Sequence, residues 1–168
     1  VDHRSFIYFG AANYRTRVYL NGEKVGEHEG GFTPFNFELT DRLRDELNFL
    51  VVQVDNRRLR EGVPTVNTDW WNYGGITRPV KLLELDATYL LDYSVQLHPT
   101  DNERISGWVQ LGGTLPAPGG EVTVAILGLG VSTSVDVNAQ GFAAIDFVAQ
   151  PELWSPDSPT RYEVQLTY

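Results

Sequence analysis

The sequence predicts an all-β protein built as two consecutive β-sandwiches. Apolar residues alternate with a period of two along most of the chain, as in Val18 and Leu20, Phe35 and Phe37, Val122 to Ile126, and Phe142 to Val148. Turn-forming pairs punctuate those runs at intervals typical of sandwiches: Asn21-Gly22, Gly30-Gly31, Gly74-Gly75, Gly112-Gly113 and Gly119-Gly120. Helical patterns do not alternate with strand patterns, as a parallel sheet would require.

The first element is a hairpin, with strands at about 16–20 and 23–28. Asn21-Gly22 between them supplies the positive φ angles of a two-residue turn. Residues 40–46, Thr-Asp-Arg-Leu-Arg-Asp-Glu, are expected to form one or two helical turns with Thr40 or Asp41 as N-cap. The apolar run from Phe49 to Val54 reads as the next strand. A junction falls near 86–89, where a stretch rich in Arg, Asn and aromatics gives way to short strands rich in Val, Leu and Gly. Residues 1–85 fit part of a jelly-roll-like sandwich. Residues 86–168 fit an immunoglobulin-like sandwich without the cysteine pair of antibody domains.

Composition removes several functional classes. The net charge is −9, and the only basic cluster is the run Arg57-Arg58-Leu59-Arg60, which reads as a solvated loop. No nucleic-acid partner is expected. No apolar run is long enough to span a bilayer, so no membrane role is expected either. The chain has no cysteine, which leaves no disulfide framework and no thiolate chemistry. It has no methionine and begins at Val1, from which we expect a processed or excised part of a longer protein.

The acidic residues do not present themselves as a catalytic pair. Glu23, Glu27 and Glu29 surround a hairpin, Asp41, Asp45 and Glu46 line the short helical stretch, and the others flank strands. His3, His28 and His98 have no metal-binding spacing, and no Gly-x-Ser-x-Gly elbow occurs. The expectation is no catalytic residue, no metal and no cofactor. One constellation remains, Asp69-Trp70-Trp71-Asn72-Tyr73-Gly74-Gly75-Ile76-Thr77-Arg78. Carbohydrate sites use that inventory, because aromatic faces stack on sugar C–H faces while carboxylates and amides hydrogen-bond hydroxyls. The competing reading places Trp70, Trp71 and Tyr73 in the sandwich core, with Arg78 paired to a buried carboxylate.

At this segment the sequence resembles glycoside hydrolase family 2, the group of β-galactosidases, β-glucuronidases and β-mannosidases. VYLNGEKVGEHEGGFTPFNFELTDRL, ELNFLVVQVDNR, DWWNYGGITRPVKL and ELWSPDSPTRYEVQL follow the order of motifs in that family and together span nearly the whole chain. The resemblance implies that 1–85 is the later part of a sugar-binding, galactose-binding-like jelly-roll domain. It implies that 86–168 is most of the immunoglobulin-like sandwich that follows, without its last strand. It also implies a strand made by the Trp-Ser-Pro to Tyr162 stretch. The family's catalytic (β/α)8 barrel, with both essential glutamates, would lie beyond Tyr168.

In the family the loop matching 69–78 reaches the barrel mouth, which implies substrate-binding roles for Asp69, Trp70 and Asn72, and a bracing role for Arg78. The loop form resembles that of the glucuronidases more than that of the β-mannosidases, and galactosidase-like members share much of it. The resulting expectation is a non-catalytic part of a retaining exo-β-glycosidase of β-galactosidase or β-glucuronidase type, inactive alone, whose partner is a β-glycoside held jointly with the barrel. Unpaired strand edges would favour a homo-oligomer. For the parent's compartment, a bacterial periplasm or cytoplasm is the expectation. A free carbohydrate-binding module and a structural tandem sandwich stay open as alternatives, the latter requiring an aromatic core.

Overall fold

The computed structural model describes residues 3–115 and 120–168, so Gly119 of the expected Gly119-Gly120 turn lies outside the described residues. The chain divides into two compact units, Val1–Asp86 and Ala87–Tyr168. In the first, the strands are β1 (His3–Phe9), β2 (Ala12–Asn13), β3 (Arg15–Leu20), β4 (Glu23–Glu29), β5 (Phe35–Glu38), β6 (Leu50–Asp55), β7 (Gly75–Ile76) and β8 (Val80–Asp86). They form two three-stranded antiparallel sheets, ordered β5-β1-β8 and β4-β3-β6, and a short β2-β7 ladder.

Alternation along β1 and β3 turns Ile7, Phe9, Val18 and Leu20 inward, where they meet Ala12, Phe35 and Leu39. Phe35 is the centre of this core. It stacks on Phe9 at 4.9 Å and under the His28 ring at 4.2 Å. The β3-β4 hairpin closes as predicted, with Asn21 at φ 53° and Gly22 at φ 91°. The Asn21 carboxamide is also bound outside the turn: its Nδ2 donates to Asn48 Oδ1 (2.9 Å), and its Oδ1 accepts from the Phe49 N–H (3.0 Å).

The expected helix over 40–46 shrinks to a single 3-10 turn, Thr40–Arg42, whose N-cap position is Leu39, without a side-chain cap. Thr40 Oγ1 is engaged elsewhere, accepting from the Ser5 N–H and donating to Glu38. Farther on, Asn48 takes both main-chain groups of Arg44, a local pairing that competes with helix formation.

The second unit contains β9 (Thr88–His98), β10 (Asp101–Gly113), β11 (Glu121–Ile126), β12 (Val131–Asp136), β13 (Phe142–Val148) and β14 (Val164–Thr167). Its sheets, ordered β13-β10-β9 and β12-β11-β14, enclose a core of Ile105, Val109, Leu111, Val122, Val124 and Ile145. The strand implied near Trp154 is confined to Val164–Thr167. Pro151, Pro156 and Pro159 interrupt the residues before it, and proline has no N–H to give a ladder.

Candidate functional site

The chain leaves β6 at Asp55 and has no regular structure over 56–74 until it re-enters the short ladder with β2. An irregular segment of that length inside a compact unit is where binding function concentrates. Its two ends are held differently. At the start, Arg57 folds back on Asp55, its Nη2 2.6 Å from Oδ2 and its main-chain N–H 3.0 Å from Oδ1. Hydrogen bonding from the Arg57 side chain, and then from its backbone, holds the Asp55 carboxyl at about 2, below its ordinary value. At the far end the main chain takes over: Ala12 pairs with Ile76 and Asn13 with Gly75, while the Thr77 N–H donates to Ala11 O (3.2 Å) and the Gly10 N–H to Pro79 O (2.9 Å).

Between these ends, one side chain ties the segment to the sheet. Asn13 is 2% exposed, and its Nδ2 donates to Tyr73 O at 2.7 Å and to Asn72 Oδ1 at 2.9 Å. The Asn13–Tyr14 peptide is cis. Gly31 lies directly against the Asn13 side chain, and a Cβ there would stand 2.6 Å from Oδ1.

The aromatic-core reading of this segment does not hold. Trp70 is 63% exposed, Trp71 86% and Tyr73 75%. Arg78 meets no carboxylate among the described residues, and its Nη1 donates to Phe32 O at 3.2 Å. The aromatics are free because the core is already filled by Phe9, Phe35 and their neighbours, and because Asn13 holds Tyr73 by its carbonyl and leaves the ring outside. Asp69 and Trp70 are likewise exposed, and the Asp69 carboxylate has no hydrogen-bond partner among the described residues. Asn72 is half-buried against Asn13.

The surface thus presents an acceptor-only carboxylate, flat apolar rings and a carboxamide on one backbone-anchored segment, a set suited to a polyhydroxylated ring. Sequence reasoning missed Asn13 and Gly31. The only signal was a carboxamide following two small residues between two strand patterns, and nothing local ties it to a segment about sixty positions away.

The family profile described as "Glycosyl hydrolases family 2, sugar binding domain" matches residues 1–86. A putative beta-glucuronidase of Formosa agariphila is 29% identical over 167 residues, which cover 95% of this chain and 20% of that protein. A beta-galactosidase of Thermoanaerobacter pseudethanolicus is 32% identical, with 96% of this chain and 23% of that protein covered. Among solved structures, Bifidobacterium dentium beta-glucuronidase complexed with coumarin-3-O-glucuronide superimposes with a TM-score of 0.80 at 26% identity, over 96% of this chain and 32% of that one. The chain therefore spans about a fifth of the length of these curated relatives.

Proposed function

Because the chain belongs to glycoside hydrolase family 2 and carries its N-terminal sugar-binding domain, we propose that it frames the sugar site of a retaining exo-β-glycosidase and leaves the bond cleavage to another part of the parent enzyme. The observation that carries this reading is the exposed Asp69-Trp70-Trp71-Asn72 surface, held out from the sandwich by the β2-β7 ladder and Asn13. Asp69 accepts hydrogen bonds from sugar hydroxyls, Trp70 offers an apolar face, and Asn72 contributes its carboxamide. The relatives' names supply the substrate class, a β-galactoside or β-glucuronide.

Retaining cleavage needs an acid/base and a nucleophilic carboxylate about 5 Å apart. No acidic pair of this chain is assigned to that work. The purified chain is therefore expected to release no nitrophenol from nitrophenyl β-glycosides, and measurable turnover overturns the assignment. In the full parent, Asp69→Ala is expected to lower kcat/KM by roughly tenfold or more, the loss of a charge-assisted hydrogen bond. An unchanged kcat/KM removes Asp69 from the site.

The exposure of Trp70 and Trp71 also favours a second reading, a carbohydrate-binding module that needs no further domain. On that reading, millimolar methyl β-glycoside changes the indole fluorescence of the isolated chain to saturation. On the first, the isolated chain has half a site and responds weakly.

A further inference from the structure

Asn13 is buried, and its contacts carry directional information. Tyr73 O can only accept, so the Asn13 atom 2.7 Å from it is the Nδ2 donor. The second hydrogen of that nitrogen points at the Asn72 side chain 2.9 Å away, and the atom facing it must accept, which makes it Oδ1. A reversed Asn13 would set its oxygen against two acceptors. The Asn72 Nδ2 is therefore the amide atom that does not face Asn13, and it has no acceptor among the described residues.

Asn13 Oδ1, by contrast, is buried without a donor, in the space that Gly31 leaves open. What the Asn13 amide provides is the tie to the Tyr73 carbonyl and the orientation of Asn72.

We infer that Asn13 is a positioning residue that fixes Asn72 as a hydrogen-bond donor toward the ligand. Beside the indole N–H groups of Trp70 and Trp71, the segment then offers a pyranose an acceptor-only group, Asp69, and a carboxamide donor, Asn72 Nδ2. This inference rests on the sugar-binding reading of the segment and specifies the polarity that the bound ring must match. The hydroxyl at Asp69 must donate, and the hydroxyl at Asn72 must accept. Fluorine in place of a hydroxyl accepts weakly and cannot donate, whereas a deoxy carbon does neither. The two positions are thus distinguishable by chemistry.

The test has two arms on the 168-residue chain. In the first, without sugar, side-chain amide exchange is followed by NMR. The Asn13 NH2 pair is expected to be protected from solvent and the Asn72 pair unprotected, and Asn72→Asp is expected to leave the Asn13 pair protected. A protected Asn72 pair, or an unprotected Asn13 pair in the wild type, overturns the inference.

In the second arm, methyl β-D-galactopyranoside and its monodeoxy and monofluoro analogues are titrated and indole fluorescence is read. One ring position is expected to lose about tenfold in affinity as the deoxy sugar but to stay within about threefold as the fluoro sugar, the difference that one hydrogen bond makes. At that position Asn72→Asp should reverse the preference, so that the fluoro sugar binds about tenfold more weakly than the hydroxyl sugar. Equal losses for fluoro and deoxy sugars at every position of the wild type overturn the inference. If no sugar changes the fluorescence, the reading as a module that needs no further domain fails, and the first arm still decides what Asn13 does.

Discussion

The two units solve the same packing problem with the same parts, two three-stranded antiparallel sheets each, and differ in what they leave unsatisfied. The described core of the second unit is entirely apolar, running from Ile105 to Ala149. The two buried polar side chains among the described residues, Asn13 and Thr16, belong to the first, and each has a buried oxygen without a partner there. The first unit also carries the long irregular segment over 56–74 and its exposed indoles. Buried polarity and exposed aromatics are each unfavourable for a sandwich taken alone. Both features occur together in the first unit, whereas the second, which also exposes Trp154 and Tyr93, has no buried polar side chain among its described residues.

The largest expected effects lie in the cores and should be alike in size. Phe9→Ala in the first unit is expected to cost about 3–5 kcal/mol and Leu111→Ala in the second about 2–5 kcal/mol. They should differ in reach. Hydrogen exchange over 69–76 should rise with Phe9→Ala and not with Leu111→Ala, and an equal rise for both would break the distinction between the units.

A smaller effect is expected from Gly31→Ala, whose Cβ would crowd Asn13 Oδ1 at 2.6 Å. It should cost about 1–3 kcal/mol by overpacking, and should also free Asn72 and Tyr73 from the sheet. Thermal denaturation reads the first effect and amide exchange over 70–76 the second. A stability loss without added exchange would disconnect Gly31 from the segment.

Both units carry an exposed Arg–Asp pair, and acid titration compares them. Asp55 is held at about 2 by Arg57, so its contribution is fully present above the ordinary carboxylate range and is lost as pH falls through about 2. Asp146 is lowered in the same direction, chiefly by its hydrogen bond to Arg104. Carboxyl 13C shifts should show Arg57→Ala raising the Asp55 midpoint and leaving Asp146 where it was. The effect on stability should be slight, because both pairs face solvent. The smallest change is expected from Trp71→Ala, within about 0.5 kcal/mol of wild type, since an exposed side chain supports nothing beneath it. A larger loss would return that ring to the fold.

Legibility in the sequence followed the range of the interactions. The Asn21-Gly22 hairpin was readable because a two-residue turn is specified by its own residues. The helix expected over 40–46 was misjudged because its competitors, the Ser5 N–H and the Asn48 side chain, act from outside the window. At the candidate site, Asp69, Trp70 and Asn72 stood out by residue type, but type alone favoured placing the aromatics in the core. Their exposure is decided by long-range filling of the interior with Phe9 and Phe35, and by Asn13, whose importance arises only once β2 and β7 are side by side.

The β2-β7 ladder also bears on how freely this surface could change. Ala12–Ile76, Asn13–Gly75 and the Ala11 carbonyl bonds hold the far end of the segment by main-chain atoms. Such a clamp reads backbone shape and is blind to the side chains it carries. Residues between Pro64 and Asn72 could therefore be exchanged, lengthened or shortened while the anchor stays in register, provided that Asn72, Tyr73 and the glycines after them remain. In engineering terms the sandwich is a socket and the segment an interchangeable insert, a natural place to graft new side chains without redesigning the fold.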